Sequence, residues 1–123
     1  MRKLRPGLVV YMRLIELEPQ FLRYEKTAEG HHHVYVDRIE EAQGLKFLCP
    51  KCSVLGGDGV RRGHIIICWA PEIPQAVNPK PGRWRLVGTG YGDLSLVAGS
   101  SSIQLPPPCS WHGYVTAGEV RPA

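Results

Sequence analysis

At 123 residues, 43% apolar and 21% charged, the chain is long enough for one modest core and too short for two. Its net charge of +4, from 15 basic and 11 acidic residues, is mild and scattered, unlike the dense basic stripe of many small nucleic-acid binders. No apolar run reaches 18 residues, so the sequence offers no candidate for a membrane-spanning helix.

The opening residues have a basic head and a short apolar stretch, but Arg13, Glu16 and Glu18 interrupt the pattern. They read as the first strand of a cytosolic protein rather than as a secretory signal. Residues 8–17 are rich in β-branched and aromatic types and predict that strand, and 20–26 predict a second. A turn at 27–30 leads into His31, His32 and His33, which continue extended. In a strand His31 and His33 would share one side and His32 the other, so the triplet reads as a polar surface strand rather than a ligand set.

Residues 36–44 carry the helix signal. Asp37 stands where a cap would, Glu40 lies three residues on, and Gly44 supplies a stop after about two turns. Beyond it the pattern is β-rich. A strand over 45–49 precedes a glycine loop at 56–59, and 64–70 read as a buried strand. Four prolines over 71–82 predict an irregular crossover. Short strands at 83–90, 93–99 and 102–105 are followed by Pro106, Pro107 and Pro108, and a hairpin around Gly118 closes the chain. The expected fold is mainly β with one short helix, in a single domain over 1–123: N-terminal strands to residue 35 and a zinc-clipped core over 36–120.

Four cysteines in such a context argue for metal or thiol chemistry over disulfides. Cys49 and Cys52 stand two residues apart, as do Cys109 and His112, and each pair can curl around one face of a tetrahedral zinc ion. Fifty-six residues separate the pairs, far more than in a compact finger, so the two zinc-ribbon-like knuckles would clip the ends of a small antiparallel sheet. Closing that loop costs roughly 4 kcal/mol of chain entropy. Zinc supplies on the order of 10 kcal/mol or more, so closure is favoured. The competing account makes the cysteines reduced core residues. His64 and Cys68 are rival ligands, but on one extended strand they stand about 13 Å apart and cannot both reach one ion. Cys68 reads as core. His64 reads as a satisfied surface histidine, or as a hydrogen-bonding neighbour of the metal.

The stretches GLKFLCPKC, GRWRLVGTGYGDLSLVAGSSSIQL and CSWHGYVTAGEV together resemble an uncharacterised zinc-knuckle family that recurs in bacteriophage and prophage genomes. The resemblance covers about residues 36–120 and implies a metal role for Cys49, Cys52, Cys109 and His112, with no activity to carry over. This chain departs from the family's Pro-Ser-Ile at Ser101, Ser102 and Ile103, and its first 35 residues match less well.

A catalytic zinc keeps an open position, whereas four protein ligands close the site. H-E-x-x-H, G-x-S-x-G, a Walker A loop and the deaminase pattern are all missing from the sequence. The expectation is therefore a non-enzymatic protein acting by protein contact or self-association, an accessory or assembly component in a host cytoplasm or a virion. One alternative is a nucleic-acid module that uses Arg61, Arg62, Arg83 and Arg85 around Trp84, although Trp84 also fits a strand core. A zinc-dependent hydrolase is the other.

Overall fold

The computed structural model describes residues 12–77, 82–97 and 102–123. In chain order the strands are β1 (Met12–Arg13), β2 (Gln20–Thr27), β3 (Gly30–Val36), β4 (Gly44–Leu48), β5 (Val54–Leu55), β6 (Arg61–Arg62), β7 (Ile65–Trp69), β8 (Arg85–Val87), β9 (Ser95–Val97), β10 (Ile103–Gln104), β11 (His112–Thr116) and β12 (Glu119–Pro122). They form two four-stranded antiparallel sheets, β1-β12-β11-β10 and β3-β2-β4-β7, and two hairpins, β5-β6 and β8-β9. The mainly β expectation holds, and no helix among the described residues reaches seven residues. None is long and apolar enough to cross a membrane.

Strand patterning explains most of this. The segment expected over 20–26 is β2, the histidine stretch is β3, and the tail pairs as β11 and β12 around Gly118 at φ 79°. The expected first strand does not run on to residue 17. It ends at Arg13: among the described residues Met12 and Arg13 pair with Val120 and Glu119, and a 3-10 turn over Leu14–Leu17 then buries both leucines; residues 8–11 lie outside the described residues.

The two-turn helix over 36–44 does not form. Only a 3-10 turn over Ile39–Glu41 remains, with Arg38 at its N-cap and no side-chain cap. Gly44 begins β4 instead of ending a helix. It pairs with Trp69, and a Cβ there would stand 2.5 Å from Trp69 Cε3. Glycine at this position lets the indole lie flat on the sheet, a packing demand that outweighs the local capping signal.

The inner faces of both sheets share one core. Phe21, Leu45, Phe47, Ile66 and Cys68 meet Ile103, Trp111, Val115 and Val120, with Trp84 and Leu96 between them. A smaller cluster of Leu22, Trp69 and Ile73 lies on the opposite side of β2 and β7. The described part of the proline-rich crossover, 71–77, packs Ile73 and Val77 into this second cluster and forms no strand. The Arg83 guanidinium serves the crossover's carbonyls from inside. It donates to the carbonyls of Ile73, Pro74, Val77 and Gly82 at 3.2, 2.6, 2.5 and 2.8 Å. Such bonds offset the cost of placing a charge where only 6% of the residue meets solvent.

Candidate metal centre

The β4–β7 register builds most of the site. Leu48 pairs with Ile65, and one step beyond the ladder the Cys49 N–H donates to the His64 carbonyl at 3.0 Å. Antiparallel pairing thus sets the residue leaving β4 opposite the residue entering β7. The turn after Cys49 returns the chain so that the Ser53 N–H reaches the Cys49 carbonyl at 3.0 Å, with Cys52 exposed on its outer side.

Cys109 comes from the other sheet. The loop between β10 and β11 is closed at its base by a bond of 2.9 Å from Leu105 N–H to the Trp111 carbonyl, and Ser110 turns it with φ 56°. Lys51 Nζ donates to the Cys109 carbonyl at 2.6 Å, which holds this loop against the Cys49–Cys52 turn.

The outcome is a cluster of Cys49, Cys52, His64 and Cys109 whose ligand atoms all lie within 4.8 Å of one another. Sγ of Cys109 is 3.6 Å from that of Cys49 and 3.1 Å from that of Cys52. A disulfide would bring two sulfurs to about 2.05 Å. Sulfurs sharing one tetrahedral zinc, each about 2.3 Å from it, stand about 3.8 Å apart; the Cys49–Cys109 spacing is near that value, and the Cys52–Cys109 spacing is shorter than it but well beyond a disulfide. Three thiols and an imidazole can hold a metal ion, and soft donors of this kind suit zinc.

The thiols also perturb one another. Burial pushes the Cys49 thiol up. Cys52 is pushed up to about 11, first by its hydrogen bond to Cys109, then by desolvation and by repulsion from the other sulfurs. Burial acts upward on Cys109 as well, but the thiol bonds from Cys52 and Cys49, the Trp111 amide and the Lys51 charge bring it below its ordinary value. A divalent cation at the centre would favour the thiolate form of all three.

Three of the four ligands expected from spacing are therefore together, and the histidine is a different one. His112 begins β11, where buried Trp111, Gly113 and Val115 alternate with exposed His112 and Tyr114. Its ring faces solvent, with Nε2 2.7 Å from Ser102 Oγ. The Cys-x-x-His spacing would curl into a knuckle only if the turn continued, and here the chain straightens into a strand first. His64, read as a surface residue, is the fourth member of the cluster. Its signal was present in the sequence: a histidine opens one apolar strand and a cysteine closes another. Cys68 is buried core as expected, its thiol raised by desolvation alone.

Of the four arginines read as one surface, Arg85 is exposed on β8, and the others differ in their surroundings. Arg83 points inward and Trp84 is buried, with Nε1 unpartnered among the described residues. Arg62 is paired with Asp58 at 2.8 Å, and Arg61 Nη1 donates to Ser53. The basic residues Arg2, Lys3, Arg5 and Lys80 lie outside the described residues, as do the side chains of His31 and His32.

Beside the cluster lies a cleft of about 500 Å³, lined by Cys52, His64, Ile65, Leu105, Cys109 and the prolines at 106–108. No family model, curated protein or solved structure matches the chain. The likeness to a phage zinc-knuckle family thus rests on the residues alone.

Proposed function

We propose that Cys49, Cys52, His64 and Cys109 bind one zinc ion as a closed structural site, and that the protein works by contact rather than turnover. The observation that carries this reading is the convergence of four ligand atoms within 4.8 Å from two separate sheets. Cys49, Cys52 and His64 flank the paired ends of β4 and β7, and Cys109 comes from the β10–β11 loop. Metal binding energy then becomes folding energy, because the donors are far apart in an unfolded chain. With four protein donors the ion keeps no position for a substrate water, so its task is to hold surfaces in place.

Those surfaces suit protein contact. Val54 and Leu55 are 68% and 59% exposed just after Cys52, and Ile65 is 47% exposed just after His64. An accessory or assembly component, of phage type and working in a host cytoplasm or a virion, fits a small clipped β scaffold that displays apolar side chains beside its metal.

Elemental analysis of the purified protein is expected to find about one equivalent of zinc. His64→Ala should lose it, whereas His112→Ala should keep it. The opposite pattern would return the fourth position to His112, and zinc held by three side chains and a water would make a hydrolase the better reading. Light scattering after size exclusion tests self-association.

A further inference from the structure

Cross-strand partners in an antiparallel sheet share a face. Gln20 pairs with Lys46, Leu48 with Ile65, and Leu22 with both Tyr35 and Gly44. Gln20, Tyr35, Lys46 and Ile65 therefore stand on one face of the β3-β2-β4-β7 sheet, opposite the face of Phe21, Leu45 and Phe47, while Leu48 at the strand end is buried with the main core. Arg61 and Arg62 of β6, with Glu18, complete the walls of a cavity of about 400 Å³ over these residues.

The charges around this cavity are unevenly matched. Arg62 already has Asp58. Lys46 Nζ donates to the Tyr35 hydroxyl at 2.6 Å and lies 4.6 Å from the centre of its ring. Arg61 Nη1 donates to the Ser53 carbonyl at 3.3 Å and to its hydroxyl at 3.1 Å. Both partners are neutral, and neither Lys46 nor Arg61 forms an ion pair among the described residues. Three cations face two acids, Glu18 and Asp58, so an excess of positive charge borders the cavity. Lys46 and Arg61 are both half-buried on this cavity, and an anion there would meet two cations whose hydrogen-bond partners are neutral.

We propose that this cavity binds a small molecule through a phosphate-monoester group, held by Lys46 and the remaining N–H edge of Arg61. A guanidinium fork beside a lysine point charge suits a tetrahedral anion with several acceptor oxygens better than it suits a single carboxylate. The volume exceeds that of a phosphate and falls in the range of small-molecule sites, and Tyr35, Leu48 and Ile65 offer apolar surface to the organic part. None of the four cluster residues lines this cavity, so its ligand would be bound by other side chains.

Calorimetric titration at low ionic strength tests it, with phenyl phosphate as the probe, inorganic phosphate as the bare anion, and a short oligodeoxynucleotide lacking a terminal phosphate. Phenyl phosphate should saturate one site and bind more tightly than inorganic phosphate. Lys46→Gln, checked for folding by thermal unfolding, should weaken it about tenfold, the loss expected for one charge-assisted hydrogen bond. Arg61→Lys, which keeps the charge and removes the fork, should weaken it less. Failure to saturate, or equal affinity in the wild type and Lys46→Gln, overturns the proposal. Tighter binding of the oligonucleotide than of phenyl phosphate also overturns it, and assigns the surface to a nucleic-acid backbone.

Discussion

The β3-β2-β4-β7 sheet is held to the rest of the molecule in two unlike ways at its two ends. At one end Cys49, Cys52 and His64 meet Cys109 from the other sheet, and the contact is made by polar ligand atoms within 4.8 Å. At the other, Leu22, Trp69 and Ile73 form a small apolar cluster under the crossover, and Arg83 binds four of its carbonyls. The first end brings together four groups that could share one metal ion, so an ion bound there would add to the packing of Cys49, Ile103 and Trp111 beneath it. The second depends on shape and on satisfied backbone groups. One end should therefore answer to chelators and the other to changes in volume.

The largest expected effect lies at the cluster. Cys109→Ser removes the donor that joins the two sheets, and strong chelation should do the same to the wild type. Both should lose most of a binding term on the order of 10 kcal/mol, enough to unfold a domain of this size. Circular dichroism melts would show it, and wild type and variant should coincide once chelator is present. Cys68→Ala, in the core and away from the metal, should cost only about 1–2 kcal/mol and keep its chelator response. A wild type whose melt ignores chelator would remove the distinction between the two ends.

Next comes Arg83→Met, which keeps the stem and removes the donors. The carbonyls of Ile73, Val77 and Gly82 would then lose this donor, and that of Pro74 would keep just the Val77 amide, at a cost of about 3 kcal/mol. Urea denaturation should report the lower midpoint, with zinc content unchanged. An unaltered midpoint would mean that water serves these carbonyls equally well.

Gly44→Ala probes the same end by volume. Its Cβ would be forced against the Trp69 ring, and overpacking of this kind costs about 1–3 kcal/mol. The change should also shift Trp69 fluorescence.

The smallest effect sharpens the comparison from outside both ends. The Asp93 carboxylate accepts from the Thr89 and Gly90 amides and from the Thr89 hydroxyl, which together hold its pKa below the ordinary 3.8. A depressed carboxylate stabilises the fold at pH values above its unfolded pKa, and that contribution fades as pH falls through its folded one. The melting difference between wild type and Asp93→Asn should be full at neutral pH and shrink below about pH 4. A constant difference across that range would show that the turn does not depend on the charge.

Much of this fold was legible from alternation and turn residues. The stretch 20–36 reads as two strands and pairs as β2 and β3, and Gly118 turns the terminal hairpin where a φ of 79° favours glycine. The three clustered thiols were legible as well, because Cys49, Cys52 and Cys109 have little other purpose at their spacing. The helix over 36–44 was misread, since a cap-like Asp37 and a stop-like Gly44 are local signals, and Gly44 answers to Trp69 across the sheet. The inward position of Arg83 is illegible for a related reason. Charge on a sequence reads as exposure, and nothing local says that the crossover's carbonyls will draw Arg83 inside.

Sequence by itself determined where this chain would run extended, that no long helix would form, and that three cysteines would be available as soft ligands. Only the tertiary structure decided which histidine joins them. Chain spacing favoured His112, three residues from Cys109, but β11 straightens and turns that ring to solvent. The Leu48–Ile65 pairing instead carries His64 across from Cys49, although fourteen residues separate them in sequence. Register is a property of two strands at once, set by which faces bury together, and neither strand encodes it alone.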